Sequence, residues 1–317
     1  MPDWSQVAEE INNHENQHQF LSLSGCDIVR RRYLQQVHNI TQRNVIIYYS
    51  GWLQKRVDGT EINDEDKNGL MTVLHELDRS KGLDLILHTP GGDTSATESI
   101  VYYLRSMFGT DIRAFVPQLA MSGGTVIACA CKEIYMGRHS SLGPIDPQII
   151  DPRLGQIPAH GVIEEFERAI EEIKRDPDRI LVWQPILHKY NPAFIGQCEK
   201  VIEMTKDMVT NWLRTGMFAS YGEEEASVIS ERIAEKLADY ELLKTHDRHL
   251  PPDMCKSFGL NISVLENEPS LQDAVLSVHH ACIHTFTKTQ AFKIIENQTG
   301  KAFIKLLPPA PEVPPFV

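Results

Sequence analysis

The residues best suited to chemistry lie in two glycine turns. In "AMSGGTVIACAC", Ala120 to Cys131, a serine and two glycines stand between an extended run and a stretch of small residues. If a helix starts there, Ser122 sits at its head with its hydroxyl exposed and the Gly123 N–H beside it. A nucleophilic serine needs that placement, because the amide of the next residue can stabilise the oxyanion formed when the hydroxyl attacks a carbonyl. In "HTPGGD", His88 to Asp93, Pro90 ends a strand and Gly91 and Gly92 let the backbone approach a ligand, while Asp93 or Thr94 can cap the next helix. The N–H groups freed there would face an anion or an oxyanion. Each turn also has an ordinary reading: a Pro-Gly-Gly that is only a turn, and a serine that is only an N-cap.

A third pattern implies different chemistry. "HENQH" matches H-E-x-x-H, in which His14 and His18 would bind zinc from adjacent helical turns while Glu15 activates water. Its flanks, "EINN" and "QHQF", lack the apolar stripe that buries a catalytic helix, and no third-ligand motif follows. A zinc metallopeptidase is therefore a remote alternative, and no metal or cofactor is expected. Neither G-x-G-x-x-G nor G-x-x-x-x-G-K-[ST] occurs.

The elements around these turns alternate. "NVIIYYS" (Asn44 to Ser50), "LDLILH" (Leu83 to His88), "IRAFVPQ" (Ile112 to Gln118) and "EIYMG" (Glu133 to Gly137) have strand length and composition. Between them lie helical stripes: Leu70, Val73, Leu74 and Leu77; then Ile100, Leu104 and Met107; then the "SGGTVIACAC" helix. Such alternation predicts a mainly parallel sheet with covered faces, and sites form outside the carboxyl ends of its strands. Beyond a Gly- and Pro-rich loop the pattern turns helical, with Val162, Phe166, Ile170 and Ile173 on one stripe, Ile202, Val209 and Trp212 on another, and Ile229, Ile233 and Leu237 on a third. A short helix closed by Gly259, a helix carrying Leu271, Val275, Val278 and Cys282, a hairpin turning near Thr299 and Gly300, and a Pro-rich tail complete the chain.

The two turns, in this order and separated by one helix and one strand, resemble the Clp-protease and crotonase superfamily over roughly Asn44 to Pro147. There, a strand ending in "PGG" supplies one oxyanion amide and a small-residue helix supplies the nucleophile and the other amide. With "LHTPGG", "MSGGT", "SSLGPIDPQ" (Ser140 to Gln148) and a late "THD" (Thr245 to Asp247) before "FGLNI", the chain is most similar to the serine dehydrogenase proteinase family. That family is related to Clp peptidases and to signal-peptide peptidase A, and the likeness reaches about Ile262. It implies an α/β fold, with a Clp-protease/crotonase-like core, a mainly parallel sheet and a helical C-terminal lobe. It also implies a serine peptidase with Ser122 as nucleophile and Gly92 and Gly123 as oxyanion donors. The family's order of serine, aspartate, histidine maps onto Ser122, Asp146 and His246, and it departs from the Clp order of serine, histidine, aspartate. His249 is a nearby alternative base, and relatives that use lysine make Lys174 another. A peptide or protein substrate, a homo-oligomer and a separate activating or recruiting protein are the implied partners. A scaffold that has lost its chemistry and serves assembly is the alternative from another class.

Composition narrows the classes further. The chain has 317 residues, 42% hydrophobic and 23% charged, enough for a substantial core. A formal net charge of −12 and no basic run longer than Arg30 to Arg32 argue against nucleic acid. No apolar run is long enough to span a membrane, and the polar N-terminus is unlike a signal peptide, so a cytoplasmic location is expected. Six cysteines without framework spacing read as reduced, buried thiols. The expected organisation is a helical arm over 1–40, a protease domain over 41–265, and a C-terminal helix, hairpin and tail over 266–317.

Overall fold

Every residue of "NVIIYYS" is buried, which explains why this run lacks the alternation of a half-exposed strand: both faces of its sheet are covered. The computed structural model describes residues 4–17, 24–151 and 155–308. Helices α1 (Trp4–Gln17) and α2 (Gly25–Thr41) precede β1 (Asn44–Ser50), followed by α3 (Asp66–Leu74), β2 (Leu83–His88), α4 (Thr94–Phe108) and β3 (Ile112–Val116). The short β4 (Leu119–Ala120) leads into α5 (Gly123–Cys129), β5 (Glu133–Met136) and the short β6 (Ser141–Leu142). A hairpin of β7 (Gln148–Asp151) and β8 (Gly155–Pro158) opens a helical segment of α6 (Ala159–Arg175), α7 (Ile180–Leu187) and α8 (Phe194–Thr215). It continues through α9 (Glu223–Ala238), α10 (Tyr240–Leu243) and α11 (Pro252–Phe258). The chain then returns through β9 (Ile262–Val264), α12 (Pro269–Lys288), β10 (Ala291–Asn297) and β11 (Ala302–Leu306).

The main sheet has the order β11-β10-β1-β2-β3-β5-β9. Strands β1, β2, β3, β5 and β9 are parallel, whereas β10 is antiparallel to β1 and β11 to β10. One face packs on α3, α4, α5, α9 and the second half of α8; the other is covered by α1, α2 and α12. The helices that follow β5 form an inserted segment, and α8 joins a small cluster of Ala159, Val162, Phe194 and Cys198 to the main core.

Two expectations need correcting. Leu77 lies beyond the end of α3, although it still packs on the core. Ile170 is 52% exposed, because α6 packs on α8 and the β7–β8 hairpin rather than on the sheet. The segments before 41 and after 265 also pack against each other and against β1. Helix α2 buries Val29, Leu34 and Val37 with Val275 and Val278 of α12, and β10 pairs with β1 in the register Ile46↔Asn297. The tail from residue 309 lies outside the described residues, among which no helix is long and apolar enough to cross a membrane.

All six cysteines are buried and form no disulfide, and burial pushes the thiols of Cys131 and Cys255 up to about 12, which makes them poor nucleophiles. At the end of β2, His88 is also fully buried, with its ring centroid 4.4 Å from that of Trp52. Burial pushes its pKa down to about 3, against a weaker opposing pull from the Leu119 backbone. Its unfolded pKa is about 6.5, so the neutral ring contributes stability that is complete above that pH and lost as pH falls toward 3. Between pH 6 and 4, His88 should cost the fold about 1.4 kcal/mol per pH unit. Urea unfolding of His88→Phe across this range should show a correspondingly shallower slope; an unchanged slope would refute the assignment.

Candidate active site

Beyond the carboxyl ends of the central strands, four segments pair in a short ladder of their own. Thr89 bridges Ala120, Ala120 pairs with Leu142 through β4 and β6, and Leu142 bridges Leu250. The bonds include Met121 N–H to Thr89 O at 3.0 Å, Ser141 N–H to Gln118 O at 2.7 Å and Leu250 N–H to Leu142 O at 2.9 Å. The first three segments run parallel and the fourth antiparallel. Gly92, Ser122 and Asp146 follow their bridging residues and His246 precedes its own, so all four leave the ladder in the same direction. Thr125 reinforces the ladder: its hydroxyl lies 2.9 Å from Ala120 O and from Gly143 O, and it accepts from Gly143 N–H at 2.9 Å.

Ser122 stands at the head of α5 with φ 49° and ψ −112°, and its side chain makes no capping bond. An N-cap serine would have extended backbone and would accept from an N–H of the first turn, so the ordinary N-cap reading fails here. A non-glycine residue at this φ carries strain on the order of 1–3 kcal/mol, held in place by its surroundings. The glycines that follow are required by close approach. A Cβ on Gly123 would lie 2.8 Å from Thr97 Oγ1, and one on Gly124 would lie 2.6 Å from Thr89 Cγ2.

The Pro-Gly-Gly segment is paired on one side with Ile62. Ile62 N–H donates to Gly91 O at 2.7 Å, and Asp93 N–H donates to Ile62 O at 2.9 Å. A parallel bridge of this form skips the residue between, so the Gly92 N–H points away from Ile62. Gly123 is the first residue of its helix and has no intrahelical acceptor. Neither N–H donates to any group among the described residues. The two lie together, since a Cβ on Gly123 would sit 3.5 Å from Gly92 N. Gly92 has φ 154°, and a Cβ there would fall onto the backbone of Ile62, 2.8 Å from its Cα. Gly92→Ala should therefore break the Ile62 bridge and lower kcat/KM by on the order of 10²-fold, comparable to loss of one oxyanion donor. Steady-state kinetics would check this, and activity within threefold of wild type would exclude a role for this amide.

His246 lies between α10 and α11, and Asp146 between β6 and β7. His246 Nδ1 and Asp146 Oδ1 are 2.8 Å apart, with the histidine side chain 22% and the aspartate 2% exposed. Gln148 Nε2 donates to Asp146 Oδ2 at 2.9 Å. Ser122, Asp146, His246, Gly92 and Gly123 line one cavity of about 340 Å³. No hydrogen bond joins Ser122 to His246 in this structure.

The other candidates lie elsewhere. Lys174 is exposed in the last turn of α6, where a cation suits the helix terminus, and His249 is exposed; neither lines the cavity. His14 and Glu15 belong to α1, on the opposite face of the sheet from α5, and His18 lies outside the described residues. Two contributors escaped the motif reading. Gln148 stands inside "SSLGPIDPQ" as an unassigned amide, and Ile62 acts through its backbone alone, which no side-chain pattern can reveal.

A family model described as ClpP-like SDH-type serine proteinase matches residues 60–276. Two uncharacterised proteins of Methanocaldococcus jannaschii, MJ0137 and MJ1495, are similar to this chain, with 31% and 32% identity over 201 and 202 residues. The matches cover 63% and 64% of this chain, and the chain spans only 60% and 59% of the length of those relatives. A solved structure, a serine-to-alanine mutant of the 1510-N membrane-bound stomatin-specific protease, is a distant likeness. It has 16% identity, covers 68% of this chain and 79% of that one, and has a TM-score of 0.40.

Proposed function

The chain belongs to the ClpP-like SDH-type serine proteinase family, and from that premise we propose that it is a peptidase that cleaves peptide bonds through an acyl-enzyme on Ser122. The observation that carries this reading is the strained serine with an uncommitted hydroxyl, lining one cavity with two unpaired amides and an aspartate-bound histidine. With Nδ1 turned to Asp146, His246 has Nε2 left to take the Ser122 proton as Oγ attacks the carbonyl carbon. The Gly92 and Gly123 N–H groups receive the oxyanion. His246 returns the proton to the leaving amine, and water, deprotonated by the same nitrogen, hydrolyses the ester. Asp146 keeps the ring oriented, and Gln148 holds the other carboxylate oxygen.

The cavity lining also suggests a preference. Among the described residues Glu61, Asp146 and Asp247 line it and no Lys or Arg does, while Val126, Ile145 and Met208 supply apolar surface. Peptides with a Lys or Arg near the scissile bond should be cleaved about tenfold faster at low salt than matched Glu peptides, with the ratio shrinking as salt screens the attraction. Equal kcat/KM values for the pair would remove this preference.

We place the activity in the cytoplasm, a reading supported by six cysteines that form no disulfide. A homo-oligomer is part of the same reading, supported by exposed apolar side chains on α7, where Leu181 is 73% and Val182 57% exposed. A recruiting or activating partner is proposed on the family resemblance alone. The test of the function is hydrolysis of fluorogenic peptides with and without a chelator. Turnover that survives chelation and stops after fluorophosphonate treatment supports the serine mechanism; chelator-sensitive turnover that ignores fluorophosphonate contradicts it.

A further inference from the structure

We propose that Lys293, on the C-terminal hairpin, is a positioning residue for the oxyanion-binding segment: its buried ammonium fixes residues 61–63 against Gly91 and Asp93 and so sets where the Gly92 N–H points. This rests on the role given above to Gly92.

Lys293 is fully buried on β10, and its Nζ donates to Glu61 O at 2.7 Å and to both oxygens of Asp66 at 2.9 Å. Asp66, also fully buried, accepts from Asn63 N–H at 3.0 Å and from the Tyr48 hydroxyl at 2.6 Å. Just upstream, Ser50 Oγ donates to Thr60 O at 2.7 Å. The backbone of residues 60–63 is thus anchored from below at Thr60 O, Glu61 O and Asn63 N–H. Between these anchors, Ile62 N–H and O hold Gly91 and Asp93.

Sliding this segment would strip partners from an ammonium and a carboxylate that water does not reach, which is far more costly than losing a surface contact. An apolar residue of similar size at 293 would fill the same volume without fixing the Glu61 carbonyl. Burial lowers the Lys293 pKa while Asp66 opposes the shift, as expected for an ion pair inside the fold. Lys305 on β11 adds a second ammonium 3.7 Å from Asp66. Both lysines lie beyond residue 276, where the family match ends, so this support comes from the part of the chain outside the matched region.

The test compares Lys293→Met with wild type by amide exchange and by binding of a peptide boronate, which occupies the oxyanion site, and of a product peptide, which does not depend on it. Exchange at the Ile62 and Asp93 amides should rise at least tenfold while β2 amides stay within twofold. Boronate affinity and kcat should fall at least tenfold, with KM and product-peptide affinity within twofold. Lys293→Gln, which keeps an N–H donor, should show smaller effects of the same sign and replaces the methionine variant if that one does not fold. Wild-type protection at Ile62 and Asp93 would overturn the proposal, as would an equal loss of protection across the whole sheet. If wild type neither binds boronate nor cleaves peptides, the peptidase reading fails, and the exchange data alone decide whether Lys293 holds the segment.

Discussion

Ser122→Ala is expected to lower peptide hydrolysis by on the order of 10⁴-fold or more and to leave the unfolding transition nearly unchanged. The Ser122 hydroxyl makes no capping bond, so its removal costs the fold no known hydrogen bond. Alanine keeps the Cβ and therefore the strain of the positive φ. Ser122→Gly separates the two effects. It should be equally inactive, yet gain stability, because relief of roughly 1–3 kcal/mol of strain outweighs the roughly 0.5–1 kcal/mol entropic cost of glycine. Thermal unfolding should then show a higher Tm for the glycine variant than for the alanine variant. Appreciable turnover by Ser122→Ala would remove Ser122 as the nucleophile, and a Ser122→Gly protein less stable than wild type would refute the strain argument.

The second large effect is expected at the histidine and its aspartate. His246→Ala removes the proposed base and should cost on the order of 10⁴-fold in kcat. Asp146→Asn should cost on the order of 10³ to 10⁴, because an amide facing Nδ1 favours the tautomer whose proton sits on the wrong nitrogen. KM should change little in either variant, since neither side chain is asked to bind the ground state. Residues that act as one unit lose activity non-additively. The double variant Ser122→Ala/His246→Ala should therefore be no slower than Ser122→Ala. Losses that multiply would show that the two side chains work independently.

Much of this arrangement was legible in the sequence because local chemistry and tertiary demand coincide there. Strands β1, β2, β3 and β5 follow from short β-branched and aromatic runs, and α4 from its stripe of Ile100 and Leu104. The two glycine turns were visible because close backbone approach admits no Cβ, as the contacts built at Gly92, Gly123 and Gly124 demonstrate. The Asp146–His246 contact was reached by resemblance rather than by pattern. It spans a hundred residues of sequence and is assembled by single-residue bridges at Ala120, Leu142 and Leu250, which are too short to leave a periodic signal. The exposure of Lys174 and Ile170 was illegible for a related reason: an amphipathic helix shows which face is apolar, and not how much of that face its neighbours cover. The role of the C-terminal hairpin was hidden as well, since Lys293 reads as an ordinary strand lysine until its partners Glu61 and Asp66 are known.

The central claim, that Ser122 is an activated nucleophile, is tested most directly by intact-mass measurement after fluorophosphonate treatment, followed by mapping of the modified peptide. Wild type should gain a single adduct on Ser122, unaffected by a zinc chelator, while Ser122→Ala gains none and His246→Ala reacts far more slowly. A wild-type protein that gains no adduct, or gains it at another residue, would contradict the account.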